Sequence, residues 1–89
     1  MIKIVEAKHV GNYRIHLTFS DGARGDFDMA ALISNETVLT RAIKAPEHFK
    51  AFFLELGALC WRNGLELSPS AIYQEMKLAG SLTLEQQAA

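Results

Sequence analysis

The 89-residue sequence holds one cysteine, two prolines and one tryptophan. A lone cysteine cannot close an internal disulfide, which excludes the stapled scaffolds typical of small secreted domains. An excess of charge of either sign is also missing, since 9 Lys and Arg meet 10 Asp and Glu for a net charge of −1. The positive surplus that neutralises phosphates in a nucleic-acid binder is therefore absent, and direct nucleic-acid binding is not expected. Near-neutrality leaves little self-repulsion, so association with a partner or with a second copy is unopposed. No apolar run approaches the ~20 residues that cross a bilayer. The opening MIKIVEAKHV carries Lys3, Glu6 and Lys8 and does not read as a signal peptide. A cytoplasmic protein with no membrane association is expected. Internal repeats and low-complexity segments are lacking as well.

What is present is enough apolar material for a core, 49% of the residues, so a folded domain is expected rather than disorder. Residues 1–80 read as a single domain and 81–89 as a C-terminal tail. Ile2 to Val10 is dense in β-branched residues and predicts a first strand, closed by a turn at Gly11-Asn12. Tyr13, Ile15, Leu17 and Phe19 then alternate with Arg14, His16, Thr18 and Ser20, which assigns the first set to the core and the second to water. Asp21-Gly22 predicts a tight hairpin with both residues at positive φ. The return strand is Ala23 to Asp28, with Phe27 inward.

Asp28 is placed to cap a short helical turn over MAALI. Glu36 to Ala45 has Val38, Leu39, Ala42 and Ile43 at helical spacing. Pro46 ends that segment or starts another turn. Phe49 to Leu56 is apolar on both faces and fits a buried strand, although periodicity alone leaves a helix open. Gly57 turns it into a partner strand, Ala58 to Arg62, and Asn63-Gly64 reverses the chain again. Ser68-Pro69 is a helix start, Ile72, Tyr73 and Met76 share one face, and Gly80 is a stop. In the tail, Ser81 or Thr83 caps a further short helix, or the segment is mobile. These pieces predict an α+β fold, with an N-terminal three-stranded meander and a second hairpin.

Few residues invite chemistry. Cys60 lies beside Arg62, which would favour a thiolate nucleophile. It has no companion cysteine or recognisable base, and a buried apolar role is the stronger expectation. Trp61 reads as core or core edge and, with Tyr73, as an aromatic pair holding the turn to the helix. His9, His16 and His48 lack metal-ligand spacing, and His16 falls on the wet face of its strand. DGARGDFD matches neither a calcium loop nor a phosphate loop. Lys3, Lys8, Arg14 and Arg24 form either a basic stripe or, as favoured here, a solvated face with ion pairs to Asp26 and Glu6. No catalytic, cofactor-binding or metal-ligating residue is assigned. Trp61, Arg62, Tyr73 and Arg14 are the candidate partner contacts, given the place of Trp, Tyr and Arg among binding hot spots.

Two stretches carry a resemblance. LTFSDGARGDFDMAALI has the form F-x-D-G followed by F-D-hydrophobic. FLELGALCWRNGLELSPSAIY contains W-x-N-G-x-[DE]-[LI]-x-P-x-x-[LI]-Y, with Trp61, Asn63, Gly64, Glu66, Pro69 and Tyr73 in place. In this order they resemble the small bacterial proteins of domain-of-unknown-function family 2442, over about Val5 to Met76. The resemblance implies a small curved antiparallel sheet with short helices packed on one side. It also implies that some members carry a helix-turn-helix domain next. Others stand beside a second small protein, in the manner of toxin–antitoxin pairs. No catalytic activity attaches to the family, so an enzyme is not expected. A chain ending at Ala89 is expected to be the form without the DNA-reading domain. The leading expectation is a regulatory interaction module, an antitoxin-like partner of a neighbouring small protein or of itself. The alternatives are an accessory domain of a DNA-binding regulator, and an enzyme using Cys60 or His16.

Overall fold

The computed structural model describes residues 1–84. Strands β1 (Ile4–Gly11), β2 (Arg14–Phe19) and β3 (Arg24–Asp28) form the expected meander. Three short helices follow, α1 (Ala30–Ser34), α2 (Val38–Ala42) and α3 (Pro46–Phe49). Strands β4 (Phe53–Glu55), β5 (Ala58–Cys60) and β6 (Glu66–Leu67) make a separate antiparallel sheet in that order. Helix α4 (Pro69–Ala79) leads to β7 (Leu82–Thr83), which returns to pair with β3, so the first sheet has the order β1-β2-β3-β7. The architecture is α+β with two antiparallel sheets where one was expected. They touch where the Ile4 N–H donates to the Gly57 carbonyl at 2.9 Å.

The alternation in β2 decides the core. Ile15, Leu17 and Phe19 are sealed, while Arg14 stays in water. Each sealed side chain contributes roughly 1.5–3 kcal/mol by leaving water. They join Ile4, Phe27, Met29, Leu59 and Met76 in one buried cluster that draws on both sheets. Tyr13, expected to share the inward set, is only half-buried. Its ring meets Phe49 edge-on at 5.1 Å and its hydroxyl donates to the Lys44 carbonyl at 2.7 Å.

The turn at Asp21-Gly22 is not the tight two-residue type. Three residues, Ser20 to Gly22, form the loop. The Gly22 N–H donates to the Phe19 carbonyl and the Phe19 N–H to the Ala23 carbonyl, and only Gly22 takes a positive φ, +91°. The Asp21 carboxylate accepts from the Ala23 N–H at 3.0 Å. Trp61 to Leu65 repeats the device bond for bond, with Gly64 at φ +101° and the Asn63 side chain accepting from the Leu65 N–H at 3.2 Å. Asp and Asn serve here by bonding the backbone two residues on, and Gly by following them in the left-handed region. The two-residue turn lies instead at Leu56-Gly57, where φ is +52° and +84° between the paired Glu55 and Ala58.

Three local expectations change. The residue capping α1 is Met29, and Asp28 accepts from the Ala30 N–H one step earlier. Helix α2 is capped by Thr37 through a reciprocal bond with Thr40, and of the anticipated core face only Ile43 is buried, while Val38 is 80% exposed. Phe49 to Leu56 is not one buried strand. Phe49 closes α3, β4 begins at Phe53, and Leu56 projects into solvent.

Helix α4 matches expectation from end to end. Ser68 accepts from the Ala71 N–H, Pro69 occupies the first turn, and Gly80 at φ +74° ends it. The Ser81 and Gly80 N–H groups donate to the Met76 and Lys77 carbonyls, satisfying the open end. The residues that follow, Leu82 and Thr83, form neither a helix nor a loose tail but β7. The remainder of the tail, 85–89, lies outside the described residues.

Tyr73 does not meet Trp61. Its ring packs edge-on against Phe19 at 5.0 Å, and its hydroxyl donates to Asp21 Oδ2 at 2.6 Å. That bond, with the Ala23 N–H, holds the Asp21 carboxyl below its usual range, and it raises the Tyr73 phenol above its own. A lowered carboxyl adds stability that is complete above its unfolded value and lost as pH falls through the folded one. A raised phenol adds stability that is complete below its unfolded value and lost as pH rises through the folded one. Tyr73→Phe is therefore expected to lower the Tm by a small amount at neutral pH, since both groups are exposed to water. The difference from wild type should close on acidification, as pH falls below the ordinary carboxylate range and through the lowered value of Asp21. Melts across pH test this, and a difference that persists in acid would show that the hydroxyl acts through something other than Asp21.

Candidate functional site

Residues from three separate segments enclose a small groove. Ala42 and Ile43 come from α2 and its end, His48 and Ala51 from α3 and the residues after it. Trp61, Arg62 and Asn63 come from the turn between β5 and β6. Its volume is about 290 Å³ and its walls are mainly apolar. The turn is anchored twice. Trp61 Nε1 donates to the Phe49 carbonyl at 2.9 Å, and Asn63 Nδ2 donates to the Leu39 carbonyl at 2.9 Å. One bond fixes the turn to α3 and the other to α2, so the groove is preformed rather than closed by a mobile loop.

The surroundings extend its apolar character. Val38 lies one helical turn before Ala42 and so shares its face, and Leu39 beside it is partly exposed. The cation at the rim is Arg62, and the imidazole of His48 lines the groove with it. The Arg62 guanidinium sits over the Phe53 ring at 5.9 Å, with no carboxylate in ion-pair range among the described residues. Lys44, which follows the end of α2, is already taken by Glu36 at 2.9 Å, which raises the ammonium and lowers the carboxyl.

Of the four candidate contacts, the structure brings together Trp61 and Arg62 alone. Trp61 is 3% exposed, and its ring lies 5.9 Å from that of Phe49 and 6.1 Å from that of Phe52. It offers the groove an edge while remaining a core residue. Tyr73 belongs to the contact between α4 and the β2–β3 turn, and Arg14 lies in a different groove, beside the β1–β2 turn. The sequence marks Asn63 as a turn residue and Ala42 as a helix-face residue and does not mark Ala51 at all, and none of the three is among the candidate contacts. Asn63 stands within W-x-N-G, but only folding reveals its bond to α2, and an alanine facing a groove carries no sequence signal.

Cys60 is buried on β5 with its sulfur 3.6 Å from the Ala58 carbonyl. Burial pushes its thiol up, and Glu66 and Glu55 push it further, the reverse of what activates a nucleophile. His16 Nδ1–H donates to Asp26 Oδ1 at 2.8 Å across β2 and β3. Among the described residues no group of three or more His, Cys, Asp or Glu is arranged to hold a metal ion. The outer face of the first sheet does not form a basic stripe. Arg14 stands opposite Asp28, His16 opposite Asp26, and Glu6 and Lys8 alternate along β1.

A family model described as "Protein of unknown function (DUF2442)" matches residues 4–77. No curated protein and no solved structure matches the chain. Among the described residues no helix is long and apolar enough to cross a membrane.

Proposed function

The chain belongs to the DUF2442 family, of unknown function, and from its surface we propose that it is a protein-interaction module whose groove at Trp61 receives an anchoring side chain of a partner protein. The observation that carries this reading is the groove itself. Its volume of about 290 Å³ falls just below the usual 300–1,000 Å³ of small-molecule pockets and suits one large apolar side chain. A preformed apolar pocket with aromatic and arginine walls has the makeup of an interface hot spot. Arg62 at its rim, with no ion-pair partner among the described residues, favours a carboxylate next to that anchor.

The partner is therefore a protein segment with an exposed aromatic or large aliphatic residue flanked by Asp or Glu. In the finer form of this reading it is the small protein encoded beside this one, the module acts in the cytoplasm, and its role is regulatory and antitoxin-like. The mixed charge on the first sheet gives the alternative of a DNA-binding accessory domain no comparable support.

Co-expression with the neighbouring gene's product, followed by size-exclusion chromatography, tests the reading. A stable complex is expected. Ala51→Trp, which fills the groove from an exposed position, and Arg62→Glu are each expected to weaken it at least about tenfold, the scale of a lost hot-spot contact, without lowering the Tm. A complex that survives both changes would place the interface elsewhere. A chain that stays alone and monomeric at high concentration would remove the interaction reading itself.

A further inference from the structure

A second groove, larger and of different chemistry, opens between the β1–β2 turn, the start of α1 and α3. Its volume is about 730 Å³, well within the range of small-molecule sites. Two fixed cations line it, Arg14 from β2 and Lys50 from the end of α3, and neither has a carboxylate in ion-pair range among the described residues. The reason Arg14 is unpaired is visible. Its cross-strand neighbour is Asp28, an arrangement that ordinarily makes an ion pair. Asp28 instead turns its Oδ1 to the Ala30 N–H at 2.9 Å. One carboxylate oxygen is engaged at the helix start, and the Arg14 guanidinium lines the groove outside ion-pair range of Asp28, which lines it too.

The remaining walls are suited to the rest of a ligand. Tyr13 is held by its bond to the Lys44 carbonyl and by the Phe49 ring, and Pro46 adds an apolar surface. His9 is fixed by its Nε2–H bond to the Asn12 carbonyl at 2.9 Å. Asn12 holds that carbonyl in the left-handed region at φ +48°, a conformation asparagine tolerates better than most residues. Tyr13 and His9 are thus held in place by specific bonds, and the two cations reach the groove from separate elements.

We propose that this groove binds a small phosphate monoester, its phosphate between Arg14 and Lys50 and its organic part against Tyr13 and Pro46. Arginine supplies a planar fork of donors matched to phosphate oxygens, and lysine a second point of charge. Asp28 is the opposing charge, and it limits the site to one phosphate rather than a polyanion. The surface is distinct from the groove at Trp61, and neither proposal depends on the other.

Titration of the full chain with adenosine 5′-monophosphate, adenosine and inorganic phosphate, followed by amide NMR, tests this. The monophosphate is expected to shift the amides of Asn12, Arg14, Ala30 and Lys50. Arg14→Gln and Lys50→Gln are each expected to raise its Kd about tenfold, the loss of one charge-assisted bond. Asp28→Asn, which keeps the acceptor for Ala30, is expected to tighten binding several-fold. Circular dichroism melts of the variants confirm folding. Adenosine binding as tightly as the monophosphate would overturn the proposal, because charge would then play no part. Inorganic phosphate binding as tightly would overturn the ester. Shifts confined to other residues, or none at millimolar ligand, would remove the site.

Discussion

Trp61→Ala is expected to abolish or nearly abolish the folded state at 25 °C. The indole is almost wholly buried, and its removal costs about 3–5 kcal/mol from lost transfer energy and the cavity left behind. It also strips the Phe49 carbonyl of its only side-chain donor among the described residues, a further penalty of about 1–3 kcal/mol for a buried acceptor without a partner. A domain this small sits toward the low end of the roughly 5–15 kcal/mol that holds proteins folded. The loss spreads because Phe49 is a hub, edge-on to His9, Tyr13 and Phe52 as well as tilted against Trp61. Those rings tie β1, the first turn and α3 together. Trp61→Phe keeps most of the ring contact and loses only the N–H, so it should cost about 1–3 kcal/mol and remain folded. Urea unfolding followed by far-ultraviolet circular dichroism measures both, because the mutation removes the only tryptophan. An alanine variant within about 1 kcal/mol of wild type would mean that the indole serves the groove and not the core.

That result bears on how the site was legible in the sequence. The W-x-N-G stretch could be recognised, and so could its architectural role, but not what it touches. Helical phase puts Tyr73 on the inner face of α4 and is silent about which ring lies opposite, and that ring is Phe19. Trp61 found its partners on α3, twelve residues back, through a bond that no local pattern encodes. Elements closed by neighbouring residues were readable. Ser68-Pro69 and Gly80 delimit α4 because caps act within a turn, and β2 shows itself because alternation is a property of consecutive residues. The turn type at Asp21-Gly22 was misread because a dipeptide compatible with two positive φ angles is equally suited to a three-residue loop. The sheet division was hidden for a related reason. Pairing of β7 with β3 depends on where α4 delivers the chain, not on anything Leu82-Thr83 announces.

The two candidate grooves follow from the same limit. Each is assembled from three segments, so its residues are scattered along the chain, and each is given its character by a bond made elsewhere. Asn63 reaching the Leu39 carbonyl sets the first, and Asp28 turning to Ala30 rather than Arg14 sets the second. A sequence pattern can nominate Trp61, Arg62 and Arg14 for contact, and only the folded chain separates them into an apolar and a cationic site.

Gly25→Ala is expected to detach the C-terminal edge of the first sheet. Gly25 lies in the middle of β3, between Leu17 on one side and Leu82 on the other. A methyl group built there would run into the Ser81 carbonyl oxygen and approach Met76 Cε at 3.1 Å. The methionine end can swing away, but the carbonyl is backbone and is held by the turn that ends α4, where the Ser81 N–H bonds Met76. Relief requires β7 to leave β3 or the end of α4 to tilt. Gly25 does not occupy a positive φ, so the penalty is one of crowding, about 1–3 kcal/mol or more. It outweighs the 0.4–1 kcal/mol that alanine returns by stiffening the unfolded chain. Gly64→Ala is the control, with φ +101° and open space around it, and it registers backbone strain without crowding. Amide exchange should show protection lost at Arg24 and Thr83, whose amides face each other across β3 and β7 while that of Gly25 faces β2, in the Gly25 variant before the meander opens, together with a lower Tm. In the control, protection on β3 should be unchanged. Should β7 stay protected and the Tm hold in the Gly25 variant, the close passage of Ser81 over β3 is not how this edge is built.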